Sequence, residues 1–208
     1  MNPIKLRILT LLLLCPPLLY GNALCAQDAW EFQTNGIIRA KATISNGVIY
    51  VAGGQTLYAL ELDGTLRWQK DLGAEIAANI AHNEGTLYVH SAAGLHALNE
   101  NGEQRWLFLK QDKGPLVAGT SWGWGDETLP DPWGWYRSGP LVKDGQVFFG
   151  SDDGLYAVAA NDGSQIWQAA MGPVTTDPVS FSDSVIVGSW DNTLYSVNAE
   201  TGKVNWEV

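Results

Sequence analysis

The chain has 208 residues, of which 16% are charged, with 22 acidic against 12 basic side chains and a formal net charge of −10. A chain of this length can bury a substantial core. The acidity and the single, scattered lysines and arginines exclude a backbone-phosphate or anionic-headgroup binder, which needs a basic stripe, so nucleic acid is not an expected partner.

Residues 1–26 read as a secretory signal. Lys5 and Arg7 precede the apolar run ILTLLLLC at 8–15, then come Pro16-Pro17 and small residues before Gln27, so removal is expected near ALCA at 23–26. The run is too short and too broken by proline to span a bilayer, which takes roughly 18 apolar residues or more, and no transmembrane segment is expected after signal removal. Leu24 precedes Cys25, and Asn22 stands where a lipidation signal carries leucine, so the favoured reading is cleavage after Cys25 or Ala26 without a lipid anchor. Cleavage after Ala26 removes both cysteines, Cys15 and Cys25, and leaves a domain at 27–208 with no disulfide and a net charge of −12. The expected location is the periplasm or the medium.

From Trp30 onward the sequence repeats. Trp68, Trp106, Trp167 and Trp206 each stand four residues after a glycine (Gly64, Gly102, Gly163, Gly202), at intervals of 38, 61 and 39 residues. Upstream of each glycine runs a pair of short alternating segments, VIYVAGGQTLYAL (48–60), LYVHSAAGLHAL (87–98), VFFGSDDGLYAV (147–158) and VIVGSWDNTLYSV (185–197). A first strand is read in KATIS (41–45), AANIA (77–81), GPLVK (139–143) and DPVSF (177–181). Asp63-Gly64 and Asn101-Gly102 are read as two-residue hairpin turns joining a third strand to a fourth. No segment carries a sustained 3.6-residue period, so helical repeats are excluded. Four strands in a period of about 40 residues make a propeller blade, and the fold class is an all-β propeller of four-stranded antiparallel blades.

The repeats resemble the tryptophan-docking repeats of quinoprotein-like β-propellers, a family that includes pyrroloquinoline quinone (PQQ) alcohol dehydrogenases and a bacterial outer-membrane assembly lipoprotein. That family's repeat carries a small residue, an acid two positions on, a glycine, and a tryptophan four beyond it. Ala59-Glu61-Gly64-Trp68 and Ala97-Asn99-Gly102-Trp106 follow it one residue short. Ala157-Gly163-Trp167 has Ala159 in place of the acid, and the fourth repeat reads Ser196-Asn198-Gly202-Trp206. The resemblance implies that Trp30, Trp68, Trp106, Trp167 and Trp206 are structural, each wedging its indole against a neighbouring blade while the ring N–H meets a carbonyl. Trp30, 38 residues before Trp68, then occupies an outer-strand position with no inner strands before it. The expectation is about four blades of an incomplete ring, completed by further blades or by self-association. A closed four-bladed ring is the competing reading.

The third repeat is longer by 23 residues, and the excess lies at about 110–139. This insertion holds Trp122, Trp124, Trp133, Trp135 and Tyr136 among glycines and prolines, and it is read as a loop rather than a blade element. Clustered indoles on a loop suit stacking on sugars, aromatic groups or peptide side chains. The alternative is a self-packed plug over one mouth of the propeller. Asp126, Glu127 and Asp131 match no calcium-loop spacing, and no metal is expected.

By resemblance, a PQQ dehydrogenase needs an ion held by acidic and amide groups, a tryptophan floor, an aspartate base and adjacent cysteines. This chain has no adjacent cysteines, and none of that family's catalytic residues can be matched here. His96 takes the place held by Tyr58, Tyr156 and Tyr195 in the other repeats, a packing position, and neither His82 nor His90 comes with a catalytic motif. No catalytic residue and no cofactor are expected. The leading reading is an exported, noncatalytic protein-binding or assembly platform in the bacterial envelope. A carbohydrate or small-ligand binder using the tryptophan loop comes second. A piece of a dehydrogenase, with PQQ and calcium, comes third.

Overall fold

The structure is a computed structural model that describes residues 29–109, 116–118, 128–130 and 137–208. The leader with Cys15 and Cys25 lies outside the described residues, as do Trp122, Trp124, Trp133, Trp135 and Tyr136 of the insertion and the acids Asp126, Glu127 and Asp131.

Four antiparallel sheets follow one another along the chain, each with its strands in sequence order. Blade 1 holds β1 (Thr43–Ser45), β2 (Val48–Gly53), β3 (Thr56–Glu61) and β4 (Leu66–Asp71). Blade 2 holds β5 (Ala81–Asn83), β6 (Thr86–Ser91), β7 (Gly94–Asn99) and β8 (Gln104–Phe108). Between blades 2 and 3 the insertion contributes β9 (Leu116–Ala118) and β10 (Thr128–Pro130), an antiparallel pair that joins none of the blades. Blade 3 holds β11 (Leu141–Lys143), β12 (Gln146–Ser151), β13 (Gly154–Ala159) and β14 (Gln165–Ala170). Blade 4 holds β15 (Val179–Phe181), β16 (Ser184–Gly188), β17 (Leu194–Asn198) and β18 (Val204–Glu207). Among the described residues there is no helix, hence none long and apolar enough to cross a membrane.

The short innermost strands adjoin in the order β1, β5, β11, β15, but β15 makes no comparable approach to β1, so the blades form an open arc. Alternation along each strand sends successive side chains to opposite faces. The core is therefore divided into layers between sheets. Tyr50, Leu57, Ile76, Leu87 and Leu98 fill the layer between blades 1 and 2. Tyr88, Leu95, Val147, Phe149 and Val158 fill the next. Phe148, Leu155, Val174, Val185 and Val197 fill the third.

Three local expectations differ from what is observed. The two-residue hairpin turns that need positive φ at both positions are Asn46-Gly47, Glu84-Gly85 and Asp144-Gly145, which join the innermost strand to the second in blades 1, 2 and 3. At Asp63-Gly64 and Asn101-Gly102 only the glycine has positive φ, and the link is four residues long with a bulge in the outer strand. The Glu84-Gly85 turn also sets the register of β5, which runs over 81–83 rather than 77–81. Finally, the segment carrying Trp30 is not a strand, since no backbone among the described residues offers it a ladder of hydrogen bonds.

Candidate functional site

The tryptophans and the turn glycines meet between blades. Trp68 Nε1 donates to the Glu100 carbonyl at 2.8 Å, Trp106 Nε1 to the Ala160 carbonyl at 3.0 Å, and Trp167 Nε1 to the Ala199 carbonyl at 3.0 Å. Each indole lies across the glycine of the following blade: a Cβ on Gly102 would stand 3.0 Å from Trp68, one on Gly163 2.6 Å from Trp106, and one on Gly202 2.7 Å from Trp167. Glycine at these turns is thus required twice, by positive φ and by the ring above it. Trp30 makes the same approach to blade 1, with Nε1 donating to the Leu62 carbonyl at 2.9 Å and its ring over Gly64.

Beyond Trp30 the chain runs along the outward face of blade 1 and bends at Asn35-Gly36, and every second residue from Phe32 to Gly36 turns inward. Phe32 meets Tyr58 edge to face at 5.4 Å, Thr34 covers Gly53, and Gly36 lies against Gly54. The Asn35 N–H donates to the Tyr58 hydroxyl at 2.9 Å, and the Gly54 N–H to the Ile37 carbonyl at 3.0 Å. Val51, Tyr58 and Leu60 are buried beneath this cover. Blade 4 has no such cover among the described residues. Phe181 is 74% exposed and Val179 57%, and Leu194, Val204 and Trp206 are also exposed, with no hydrogen bond from the Trp206 indole.

The two ends of the blades differ in chemistry. At the end where the connections between blades cross, Lys41, Asn79, Gly139 and Asp177 each stand two residues before an innermost strand. The Lys41 N–H donates to Asn79 Oδ1 at 3.0 Å, Asn79 Nδ2 to Asp177 Oδ2 at 2.5 Å, and the Gly139 N–H to Asp177 Oδ1 at 2.6 Å. One chain of hydrogen bonds thus ties all four blades at their inner ends. A Cβ on Gly139 would lie 2.8 Å from Asp177 and 2.9 Å from Asn79, so a side chain there would part them. The insertion leaves and re-enters at this same end. Its return is held by Arg137 Nη2 donating to the Ala92 carbonyl at 3.1 Å and by Ser138, whose Oγ accepts from the Gly150 N–H at 2.6 Å. His90, wholly buried, reaches the Ser138 carbonyl with Nδ1 at 3.1 Å and lies edge-on to Phe149. Burial, helped by the Arg137 charge, lowers its pKa to about 3, so the ring is neutral and Nδ1 carries the proton it donates.

At the opposite end, the junction of blades 1 and 2 contains Ser45, His82 and Glu100. Ser45 Oγ lies 2.8 Å from His82 Nδ1, and His82 Nε2 lies 3.1 Å from Glu100 Oε1. His82 also stacks on Tyr50. Asn46 Nδ2 donates to Glu100 Oε1 at 2.9 Å, and this bond, followed by His82, holds the Glu100 carboxyl below the usual carboxylate range. His96 is buried against Ser91, in the tyrosine position of the repeat. Among the described residues no cluster of three or more His, Cys, Asp or Glu side chains could hold a metal ion.

Sequence reading passed over Asn79, Asp177 and the His82–Glu100 pair. The available signal was positional, since Asn79 and Asp177 precede their strands by the same two residues, but the partnership spans 98 residues.

Residues 22–123 and 118–208 match the family described as outer membrane protein assembly factor BamB. The chain belongs to that family. No curated protein matches the sequence. Among solved structures, BamB from Moraxella catarrhalis is similar at 18% identity and a TM-score of 0.54, over 86% of this chain and 64% of that one. The quinohemoprotein alcohol dehydrogenase from Comamonas testosteroni is similar at 17% identity and a TM-score of 0.64, over 83% of this chain but 35% of its own. The computationally designed Ika4 protein is similar at 11% identity and a TM-score of 0.61, over 80% of this chain and 93% of its own. At these identities the likeness is one of fold. The chain thus spans less than two thirds of the BamB structure and about a third of the dehydrogenase.

Proposed function

We propose that this BamB-family chain works in the bacterial envelope as a protein-binding platform, and that the outward face of blade 4 packs against a further polypeptide segment. The match to the assembly-factor family over residues 22–123 and 118–208 carries this reading, and the outward face of blade 4 is an apolar surface that the described residues leave uncovered. Each of the four turn glycines lies under an indole, whereas Trp206 is 45% exposed and has no glycine turn beneath it. A face of this kind, apolar and with an unpaired aromatic, is where a further sheet or a partner's strand would bury most area. The leader at 1–26 and the family's description as an assembly factor support the envelope and the protein partner. The reading requires no cofactor and no catalytic group. The likeness to dehydrogenases is one of fold, and fold alone carries no activity.

Site-specific photo-crosslinking in cells expressing the full chain with its leader tests this. A crosslinker at Phe181 or Trp206 should give adducts with a second polypeptide, while one at Asp63, an exposed polar turn residue, should not. Equal labelling at all three sites, or none at Phe181 and Trp206, overturns the proposal.

A further inference from the structure

The three junctions between blades are built on one scaffold, but they are not filled alike. Register places His82 of blade 2 at the same position as Val142 of blade 3, since each is the middle residue of its innermost strand. Glu100 and Ala160 are likewise equivalent, each offering the carbonyl that receives the preceding blade's indole. Where His82 and Glu100 plug the first junction, Val142 and Ala160 leave the second open. The result is a cleft of about 610 Å³, whose lining includes Tyr88, Arg105, Lys143 and Ala160. The corresponding space between blades 3 and 4, where Phe148 lines the wall, is about 290 Å³.

Arg105 is the residue whose surroundings change most. Arg67 and Arg105 both stand immediately before the indole of their blade. Arg67 grips Glu61 with two hydrogen bonds, at 2.7 and 3.0 Å, and also lies in the field of Glu100. In blade 2 both carboxylates are gone. The Glu61 position is Asn99, whose Nδ2 donates to Glu103, and the Glu100 position in the next blade is Ala160. Arg105 instead donates through Nη1 to the buried Thr86 hydroxyl at 2.6 Å, and among the described residues it has no carboxylate partner. That bond fixes the guanidinium at the cleft while leaving other N–H groups of the fork unused, and a planar fork is matched by a carboxylate.

We infer that the cleft between blades 2 and 3 is a carboxylate-binding site, with Arg105 as the anchor, filled by an acidic side chain or the terminal carboxylate of a peptide. The Tyr88 hydroxyl, 3.4 Å from the Ala160 carbonyl that also receives the Trp106 indole N–H, lines the cleft. Lys143 pairs with Asp144 at the rim, and Glu84 also lines the cleft. Those two acids make the site selective for a single carboxylate placed at the guanidinium and unsuited to a polyanion. This inference concerns the chemistry of one junction and stands independently of what blade 4 binds.

The test is a two-dimensional amide NMR titration of the full chain with three blocked peptides: acetyl-Gly-Asp-Gly-amide, acetyl-Gly-Asn-Gly-amide, and acetyl-Gly-Gly-Gly with a free carboxylate. Saturable shifts are expected at Thr86, Arg105, Gly145 and Ala160 with one or both carboxylate peptides, and not with the asparagine peptide. Which carboxylate peptide binds distinguishes a side chain from a chain terminus. Arg105→Gln should weaken binding roughly tenfold or more, the loss expected for a charged hydrogen bond. A double variant, Val142→His with Ala160→Glu, copies the first junction into the second, so it should close the cleft and abolish the shifts while the protein still unfolds cooperatively. Equal shifts with the asparagine peptide, binding unaffected by Arg105→Gln, or no saturable shift with any peptide overturns the inference.

Discussion

Blades 1 and 4 are the two ends of one stack, and they present opposite faces to solvent. On blade 1, Trp30, Phe32, Thr34 and Gly36 lie along the outward face and bury Val51, Tyr58 and Leu60, without a single strand hydrogen bond to hold them in a sheet. On blade 4 it is the opposite face of the sheet, with Phe181 and Trp206, that points outward, and it is exposed. The comparison separates two things that occur together in the inner junctions. An indole over a glycine turn, with its N–H on a carbonyl, seats a chain segment on a blade together with contacts such as Phe32 on Tyr58 and the Asn35 N–H on the Tyr58 hydroxyl. Backbone pairing is a separate contribution, which the Trp30 segment lacks. The segment from Trp30 to Lys41 keeps the spacing of that from Trp68 to Asn79, with Ala40 and Ala78 both buried, so it follows the path of an outer strand and its connection without being one.

If the indole is the main fastening, its removal from an inner junction should have the largest effect. Trp106 and Trp167 are each 9% exposed, and Trp106→Ala or Trp167→Ala should lower stability by about 3–5 kcal/mol in urea unfolding. A loss under about 1 kcal/mol would shift the weight of the junction to the aliphatic layers.

A second effect comes from the buried imidazole that pins the return of the insertion to the second junction. With a folded pKa of about 3 against 6.5 for the free side chain, His90 binds fewer protons in the folded state. Its stabilising contribution is therefore complete above pH 6.5 and is lost as pH falls from there toward 3, by about 2 kcal/mol at pH 5. His90→Phe should flatten that part of the pH dependence when unfolding is measured at pH 7.5 and pH 5. An unchanged slope would mean that the ring protonates without cost.

The smallest effects belong to the two ends and bear most directly on the comparison. Trp30 is 42% exposed, so Trp30→Ala should cost about half as much as an inner tryptophan, near 2 kcal/mol. Trp206→Ala should alter stability by less than about 0.5 kcal/mol while reducing partner adducts from a crosslinker at Phe181, because the ring touches no following glycine among the described residues. Equal costs at the two positions would show that the two end faces are not different in kind.

Much of this architecture was legible in the chain. The repeat of glycine and tryptophan, the alternating segments and the turn residues are local, and each stands or falls with a few neighbouring residues. Gly64, Gly102, Gly163 and Gly202 announced the turns, though the backbone solution was one positive-φ glycine in a longer link rather than a primed two-residue turn. The aromatic loop of the insertion remains a reading of composition. Asn79 with Asp177, His82 with Glu100, and Arg105 without a carboxylate could not be read in advance. Each depends on which residues of different repeats share a junction, and the period gives their equivalence but not their contacts.

The sequence alone determined the period, the all-β blades and the positions of the indoles, because strand alternation, turn chemistry and a fixed Trp-to-Gly spacing are short-range constraints. Tertiary structure decided the rest: that Trp30 covers blade 1, that one hydrogen-bond chain joins four blades, and that the second junction opens into a wider cleft than the third. The physical reason is that packing between sheets sums over side chains 38 to 98 residues apart. There, exchanging a histidine and a glutamate for a valine and an alanine changes a filled junction into an open one without disturbing any strand.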